Sequence, residues 1–366
     1  MGIKVSEVIS YLEQIAPTEY QESYDNATLI TGNREAEVKG IVCSLDCTED
    51  VVREAIELGA NMIVAHHPIV FKGLKSLTGK NYVERTIILA IQNNIAIYAI
   101  HTNLDHVADG VNKRISDRLG LIRTRILRPK KQLLSKLVFF VPEGNKEAVL
   151  SAVFSAGAGK IGEYSDCSFQ LKGNGTFTPS EKSNPSIGEI GKPQTEEEIR
   201  IEVLVPNHLL PRVLQAMKKA HLYEEVAYYV QLLENENQEV GAGMIGELPY
   251  PMDELEFLDH LKEKMDLKII KHTALLGKKI STVAVCGGAG IFLLGDAKKA
   301  GADIFITADV KYHEFFDAES KIILCDIGHY ESEIFTKQLL GELLSQNFLN
   351  IALYFTRVVT NPTSYR

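Results

Sequence analysis

One stretch of this chain occurs twice, 242 residues apart, and the repetition limits the folds that the chain can adopt. AIELGANMIVAHH at residues 55–67 aligns without gaps with AKKAGADIFITAD at residues 297–309. An apolar stretch with a Val-Cys pair precedes each copy, at residues 42–43 and 285–286, one residue out of step. Two segments that match in the same order predict an internal duplication.

Strand and helix patterns alternate around the first copy. GIVCSLD, ANMIVAHH and IAIYAIHT indicate buried strands, while TEDVVREAIELG and YVERTIILAIQNN indicate helices. Thr48 is the predicted N-cap of the first helix and Gly59 its end. The β-α-β order predicts an α/β fold with a largely parallel sheet. We therefore predict two duplicated α/β lobes, at residues 1–125 and 241–366, that form a cleft between them.

The middle of the chain, residues 126–240, has a different pattern. KLVFFVP, NKEAVLSAVFSAG, IRIEVLVP, HLLPRVLQAMKKA and VAYYVQLLE indicate strands and helices in the order of small ferredoxin-like α+β domains. The stretch NGTFTPSEKSNPSIGEIGKPQTEEE is rich in glycine, proline and serine and is predicted to be a loop. We interpret this block as an inserted domain and the basic run RTRILRPKK, residues 123–131, as a solvated linker.

Composition limits the classes of function. The 366 residues are enough for two or three domains, and no apolar run reaches the length of a membrane span. The net charge of −9 counts against nucleic-acid binding, because phosphate neutralisation needs clustered cations. Five scattered cysteines without a CxxC pair favour reduced, buried thiols in a cytoplasmic protein.

Three predicted apolar strands are followed by histidines or carboxylates: His66 with His67, His101 with Asp105, and His329 with Glu333. Functional groups of open α/β sheets gather beyond the carboxyl ends of strands, so both lobes can supply one cleft. A carboxylate can bridge two metal ions about 3.5–4 Å apart. Mixed imidazole and carboxylate ligands suit Zn, Mn, Fe or Ni. The alternative to metal binding is that these are ordinary polar residues at strand ends. That alternative is less convincing for the adjacent histidines His66 and His67 than for His329 and Glu333.

The other candidate groups carry weaker signals. We interpret as surface or structural the histidines His106, His208, His221, His260 and His272. His313 follows a predicted strand and Asp309 occupies the position that matches His67, so both stay open as groups that face the cleft. The turn VAVCGGAG at residues 283–290 lacks Walker and GxGxxG spacing, which favours tight packing over a phosphate cradle.

Several of these motifs resemble those of a known family. They are, in family order, SYDNATLITG (23–32), MIVAHHPIVFKGLKSLT (62–78), AIYAIHTNLDHVADGVN (96–112), CGGAG (286–290), TADVKYHEFFDA (307–318) and GHYESE (328–333). The chain is similar to the Ngg-interacting-factor-three-like family, whose bacterial members carry the name GTP cyclohydrolase 1 type 2 homologue. The middle block resembles the insert of the longer bacterial members, which is similar to PII signalling and copper-tolerance trimer domains. One departure is Ala308, where the family pattern has glycine.

The resemblance implies a site for two divalent metal ions, with Zn preferred and Mn, Fe or Ni as alternatives. His66 and Asp105 would hold one ion, and Glu333 would bridge it to the second. His67 and His329 would hold the second ion. The resemblance also implies a homohexamer of two trimers face to face, with a small-molecule or nucleotide substrate.

His101 would stand beside these ligands as an extra ligand or a proton shuttle, and it is our candidate catalytic residue. GTP cyclohydrolysis needs a metal-activated water that attacks carbon 8 of guanine, and a general acid for ring opening. No feature of the sequence marks a guanine pocket, and the chain has no tryptophan. We predict a metal-dependent hydrolase, with GTP cyclohydrolase as the named candidate. The alternative is a metal-dependent regulatory or scaffold protein that acts through its ring assembly and insert.

Overall fold

The computed structural model describes residues 2–366 as an α/β protein with three sheets. The α-helices, in chain order, are α1 (Val5–Ile15), α2 (Glu49–Glu57), α3 (Tyr82–Gln92), α4 (Thr102–His106), α5 (Val111–Arg118), α6 (Lys146–Ser155), α7 (Leu210–Ala220), α8 (Glu254–Lys264), α9 (Leu294–Lys299), α10 (His329–Glu333) and α11 (Thr336–Asn347). Single turns of 3-10 helix lie at Thr18–Tyr20, Glu143–Asn145, Asn207–Leu209 and Ile291–Leu293, and a longer one at Tyr312–Ala318.

The β-strands, in chain order, are β1 (Leu29–Thr31), β2 (Gly40–Ser44), β3 (Met62–Ala65), β4 (Ala96–Ala99), β5 (Ile122–Lys130), β6 (Leu134–Pro142), β7 (Ser168–Phe177), β8 (Gln194–Pro206), β9 (Tyr228–Leu233), β10 (Asn237–Met252), β11 (Lys271–His272), β12 (Ile280–Val285), β13 (Ile304–Thr307), β14 (Ile323–Asp326) and β15 (Ala352–Phe355).

The chain packs as two compact units. The first unit contains the residues up to Pro129 together with Gln238–Arg366, and the second is Lys130–Asn237. Both predicted lobes thus belong to one unit. The predicted boundaries at 125/126 and 240/241 lie inside β5 and β10. The predicted first lobe begins at Met1, which lies outside the described residues.

Two sheets with parallel centres form the first unit. One has the order β1-β4-β3-β2-β15, with β15, β2, β3 and β4 parallel and β1 antiparallel to β4. The other has the order β11-β14-β13-β12-β10-β5, with β12, β13 and β14 parallel, and with β10 and β11 antiparallel to their neighbours β12 and β14. These sheets confirm the α/β class and the largely parallel pairing predicted from the sequence.

The strands of the repeated stretch occupy equivalent places in the two sheets. The bounds of β3 and β13 differ by the same 242 residues as the sequence repeat. Gly59 and Gly301, at matching positions before these strands, have φ of 68° and 76°. The histidines that follow β4 and β14 are not in equivalent positions, since His101 lies five residues beyond the start of β4 and His329 six beyond the start of β14. Descent of both lobes from one unit remains a prediction.

One apolar cluster connects the two sheets of the first unit. Ile41 and Met62 of the first sheet and Val283 and Ile304 of the second belong to it, and none is more than 1% exposed. Helices α1, α5, α8 and α11 also contribute buried side chains. Because burial of apolar surface is the dominant favourable term in folding, this shared core fixes the distance between the two sets of strand ends.

The interpretation of residues 123–131 as a solvated linker is wrong. The run forms most of β5, an edge strand next to β10. Ile126 and Leu127 are buried in the run, while Arg123 and Arg128 pair with Glu247 and Asp296. Two buried apolar residues therefore outweigh the flanking charges.

The second unit is a four-stranded antiparallel sheet of order β7-β8-β6-β9. Its elements follow the chain as β6-α6-β7-β8-α7-β9, the ferredoxin-like order. Phe139 and Ile201 from the sheet pack with Val153 and Val213 from the two helices. A closer relation to PII or copper-tolerance domains remains a prediction.

Among residues 2–366, no helix has both the length and the apolar character that a membrane crossing requires.

Candidate metal centre

The candidate residues follow the carboxyl ends of parallel strands in both sheets of the first unit. His66 and His67 come directly after β3, and His101 comes two residues after β4. His329 and Glu333 begin and end α10, just after β14. The parallel strands of each sheet point the same way, so their polar ends collect in one place.

The ligand atoms of all six predicted residues meet in one cluster. Within each of three overlapping groups, the possible ligand atoms lie within 4.8 Å of one another. These groups are His66, His67 and His101; His67, His329 and Glu333; and His66, Asp105 and Glu333. The grouping has the composition of a site for one or more metal ions.

His66 and Asp105 form the deepest part of the cluster. The Nδ1–H of His66 donates to the carbonyl of Ile100 at 2.9 Å, which leaves Nε2 as the unprotonated nitrogen. That Nε2 lies 3.5 Å from Oδ1 of Asp105, and both atoms are buried without a hydrogen-bond partner among the described residues. Buried polar atoms without partners are costly, so a cation between these two would satisfy both.

Burial controls the charge of this pair. It lowers the pKa of His66 to about 3, so the imidazole is neutral and its Nε2 lone pair is available. Burial, together with the charge of Glu333, raises the pKa of Asp105 well above its usual range. Two acidic groups next to a neutral imidazole form an environment that a divalent cation would stabilise.

Glu333 connects the two sheets through hydrogen bonds from two histidines. Its Oε2 accepts from Nε2 of His67 at 3.0 Å and from Nε2 of His329 at 3.1 Å. Burial alone would raise the pKa of Glu333, but these bonds and the charges of both imidazoles hold it well below its usual range. A metal ion bound to this carboxylate and to both Nε2 atoms would replace the two protons.

The same hydrogen bonds set the protonation of the two histidines. Burial would lower the pKa of His67, but its bonds to Asp46 and Glu333 raise it to about 10. Burial likewise opposes the charge of His329, whose bonds to Glu333 and Asp309 raise its pKa to about 9. Both imidazoles are therefore protonated at neutral pH in the metal-free chain.

In every histidine of the cluster, the Nδ1–H donates a hydrogen bond to an oxygen atom. The acceptors are the carbonyl of Ile100 for His66 at 2.9 Å, Asp46 for His67 at 2.7 Å, Asp25 for His101 at 2.7 Å and Asp309 for His329 at 2.6 Å. Metal-binding histidines characteristically donate the other ring N–H to a carboxylate or carbonyl, which fixes the ring and directs Nε2 to the metal. The four Nε2 atoms thus face a common space.

Two of these orienting residues, Asp25 and Asp46, were missed as site residues by the sequence analysis. Asp25 lies in SYDNATLITG, which drew attention as a motif without a role for its aspartate. Asp46 ends GIVCSLD, two residues beyond β2, so the strand-end argument applied to the other groups would have found it. Asp309, which the sequence left open, orients His329, whereas His313 is exposed and belongs to none of the described ligand groups.

The remaining histidines bond mainly to the backbone. Nitrogen atoms of His106, His221 and His260 lie 2.8–3.0 Å from carbonyl oxygens of Tyr20, Phe140 and Leu119. These contacts agree with the structural role predicted for the three side chains.

The glycine-rich turn after β12 packs onto the cluster and does not form a phosphate cradle. The N–H groups of Gly287, Gly288 and Gly290 donate to the side chains of Asn112, Ser332 and Thr307, at 2.9–3.0 Å. Gly288 has φ of 59°, and a Cβ there would lie 2.5 Å from Oε1 of Glu333. The turn therefore needs glycine because its backbone touches the bridging carboxylate.

The cluster lies in a cavity of about 940 Å³. Exposed aromatic rings of Tyr24, Phe71, Tyr82 and Phe292 line its walls. Arg128 is the single lysine or arginine among the described lining residues, and it pairs with Asp296. The cavity thus combines acidic and imidazole groups with aromatic walls.

The chain matches a known family along almost its entire length. The sequence model of Duf34/NIF3 (NGG1p interacting factor 3) matches residues 3–362. A protein of Halalkalibacterium halodurans is 38% identical over 363 residues, which cover 98% of each chain. A protein of Bacillus subtilis is 34% identical over 369 residues, covering 100% of this chain and 99% of the relative. Both relatives carry the name GTP cyclohydrolase 1 type 2 homolog.

Solved structures give the same similarity in three dimensions. The crystal structure of a Bacillus cereus protein related to NIF3 is 37% identical, covers 100% of both chains and has a TM-score of 0.88. A Staphylococcus aureus protein is 28% identical, covers 100% of this chain and 99% of its own, and has a TM-score of 0.79.

We expect metal affinity to rise with pH between 6 and about 9, because His67 and His329 must lose their protons to bind a metal. Titration calorimetry with Mn²⁺ in buffers of different ionisation enthalpy should detect release of about two protons at pH 7. Glu333→Gln removes the charge that raises both pKa values, so it should release fewer protons. An affinity that stays constant over this range, with no proton release, would contradict the assignment of these imidazoles as ligands.

A second prediction concerns the orientation of His67. Asp46 also accepts a hydrogen bond from the Thr360 hydroxyl, so the segment after β15 supports this orientation. Asp46→Asn should weaken metal binding by about tenfold or more, and Thr360→Val should weaken it less, because Asp46 keeps its bond to His67. Asp50→Asn, an exposed acid at the start of α2, is the matched control. Equal affinities of all three variants in a chelator competition would refute the positioning role of Asp46.

Proposed function

This chain belongs to the Duf34/NIF3 family, and on that premise we propose that it is a metal-dependent hydrolase with two divalent ions in its centre. The observation that carries the proposal is the pair of buried, unpartnered atoms, Nε2 of His66 and Oδ1 of Asp105, beside the carboxylate of Glu333. A hydrolytic two-metal site needs imidazole and carboxylate ligands of this kind in a partly closed cavity.

The proposed ligands divide into two sets that share Glu333. His66 and Asp105 hold one ion with Glu333, and His67 and His329 hold the other, each set corresponding to one of the geometric groups. Zn is the first candidate, with Mn, Fe and Ni as alternatives that suit the same donors. When bound, such ions supply a hydroxide at neutral pH and polarise the group that it attacks.

The residues around the ions position and protonate the substrate. Asp25 accepts from Nδ1 of His101, so Nε2 of His101 faces the cluster. The ring centre of His101 lies 5.2 Å from those of both His66 and His67. His101 is therefore placed to donate a proton to a leaving group or to serve as a further ligand. The ring of Phe71 lies 5.8 Å from that of His101, in a T-shaped arrangement.

GTP is the first substrate to test, because the relatives carry the name of a cyclohydrolase homologue. A cavity of about 940 Å³ has room for a nucleotide, and Tyr24, Phe71 and Phe292 offer faces for base stacking. The single Arg128 provides little charge for a triphosphate. A nucleotide or another small ring compound with fewer phosphates is the natural alternative substrate.

A regulatory or scaffold role through self-association is the second candidate. Phe169, Leu171 and Tyr229 lie on the face of the second sheet that α6 and α7 leave open, and they are 49–60% exposed. Exposed apolar side chains grouped in this way favour association between copies. We accordingly keep a homohexamer of two stacked trimers as the proposed assembly.

The free cysteines, four of them buried, support a cytoplasmic location.

The test is turnover by the metal-loaded protein. With GTP, we expect formate and a dihydroneopterin triphosphate product, measured by chromatography. Glu333→Gln should reduce kcat by about a thousandfold, and His101→Gln by about a hundredfold or more. Glu331→Gln, on the same short helix and bonded to Asn361, should keep its activity.

Two outcomes would contradict the hydrolase proposal. One is turnover that Glu333→Gln leaves unchanged. The other is absence of turnover of GTP and of a wider nucleotide panel by protein that retains its metal, which would favour the regulatory role.

A further inference from the structure

The second unit has a cavity of its own, of about 550 Å³. Its floor is the face of the sheet opposite α6 and α7, because Ile199 and Ile201 point to the helices while Glu198 and Arg200 alternate to the other side. Its walls come from the segment at residues 179–187 and from residues 223–227. Nothing in the proposed hydrolase chemistry uses this cavity.

Two glycines of β7 create the space. Gly173 and Gly175 lie on the open face, paired with Glu198 and Glu196 of β8. A Cβ at Gly173 would meet no atom within 4 Å, whereas a Cβ at Gly175 would lie 2.1 Å from Oε2 of Glu198. Glycine inside a strand weakens it and often marks a place where another group approaches the backbone closely. Here the glycines admit the Glu198 side chain and leave open volume beside it.

The cavity contains two largely buried polar groups, the carboxylate of Glu198 and the hydroxyl of Tyr223. Glu198 is only 9% exposed although it lies in the middle of the sheet face. The hydroxyl of Tyr223 is buried near this carboxylate and makes no hydrogen bond of good geometry with the described residues. A buried carboxylate is costly unless it is paired, so the site favours a cationic or N–H donor group.

The cations at the cavity are engaged elsewhere. Arg200 donates to Glu202 at 2.7 Å, and Lys172 pairs with Glu197 at 2.9 Å. Both of these acids lie outside the lining. Glu198 has no cationic partner among the described salt bridges. The floor thus carries the carboxylate of Glu198 beside the paired guanidinium of Arg200.

The rest of the lining is mixed, because it combines apolar and aromatic residues with polar ones that include Glu224 and Glu225. Phe140, Leu171, Phe177 and Ile187 line the same cavity as Glu198. Aromatic faces stabilise organic cations as well as apolar rings. The lining matches a ligand that has a charged head and a ring-sized apolar body.

We propose that this cavity binds a small organic cation, with an ammonium or amidinium head on Glu198 and an apolar body against Phe140 and Phe177. The head donates hydrogen bonds to the carboxylate, and the Tyr223 hydroxyl supplies a further hydrogen bond. The cavity volume suits one small molecule of this class. The second unit is then a ligand-binding module with a specificity different from that of the metal centre.

The experiment uses the full chain and two probes of the same shape, 2-phenylethylammonium and 3-phenylpropionate. Titration calorimetry and ligand-observed NMR should detect saturable binding of the ammonium probe only. Glu198→Gln should weaken it by about tenfold or more, because it removes a charged acceptor. Glu147→Gln, an exposed acid on α6 outside the lining, is the control and should bind normally. Gly173→Val should abolish binding by filling the open volume.

The thermal unfolding of each variant and its metal content should match those of the parent chain, which separates loss of the site from loss of the fold. Three results would overturn the proposal. They are unchanged affinity in Glu198→Gln, equal binding of the anionic probe, and absence of saturable binding of 2-phenylethylammonium at millimolar concentration.

Discussion

The carboxylate of Glu333 is the contact on which the whole centre depends. It extends from the end of one sheet and accepts hydrogen bonds from His67 of the other sheet and from His329 of its own. A carboxylate that is 3% exposed is tolerated only because positive groups face it. The apolar core between the sheets holds these partners in place. Fold and chemistry are therefore coupled, since any shift between the sheets separates Glu333 from His67.

Much of this arrangement could be predicted from the sequence. Strand ends that carry His66, His67, His101 and His329 can be located by periodicity, because apolar runs stop abruptly at polar residues. The rule that such ends gather at one edge then brings the residues together. Asp25 and Asp46 were harder to assign, since an orienting carboxylate acts through a histidine that lies far away in the chain. The density of basic residues at 123–131 led to the wrong prediction of a solvated linker. The run forms most of β5, and two of its apolar residues are buried.

The two units present different recognition chemistry. In the first, imidazoles oriented by carboxylates and a backbone carbonyl form, with Asp105 and Glu333, groups that could hold a metal ion. In the second, the largely buried Glu198 lies in a cavity of mixed polar and apolar lining, where we propose that an organic cation binds. The sequence model of the Duf34/NIF3 family spans both units, since it matches residues 3–362.

The most direct measurement is anomalous X-ray diffraction from crystals grown with Mn²⁺ or Zn²⁺. The account predicts two anomalous peaks, one next to His66 and Asp105 and the other next to His67 and His329, with Glu333 in contact with both. Crystals that contain either ion in solution but show no peak at these side chains, with His67 and His329 still bonded to Glu333, would contradict it.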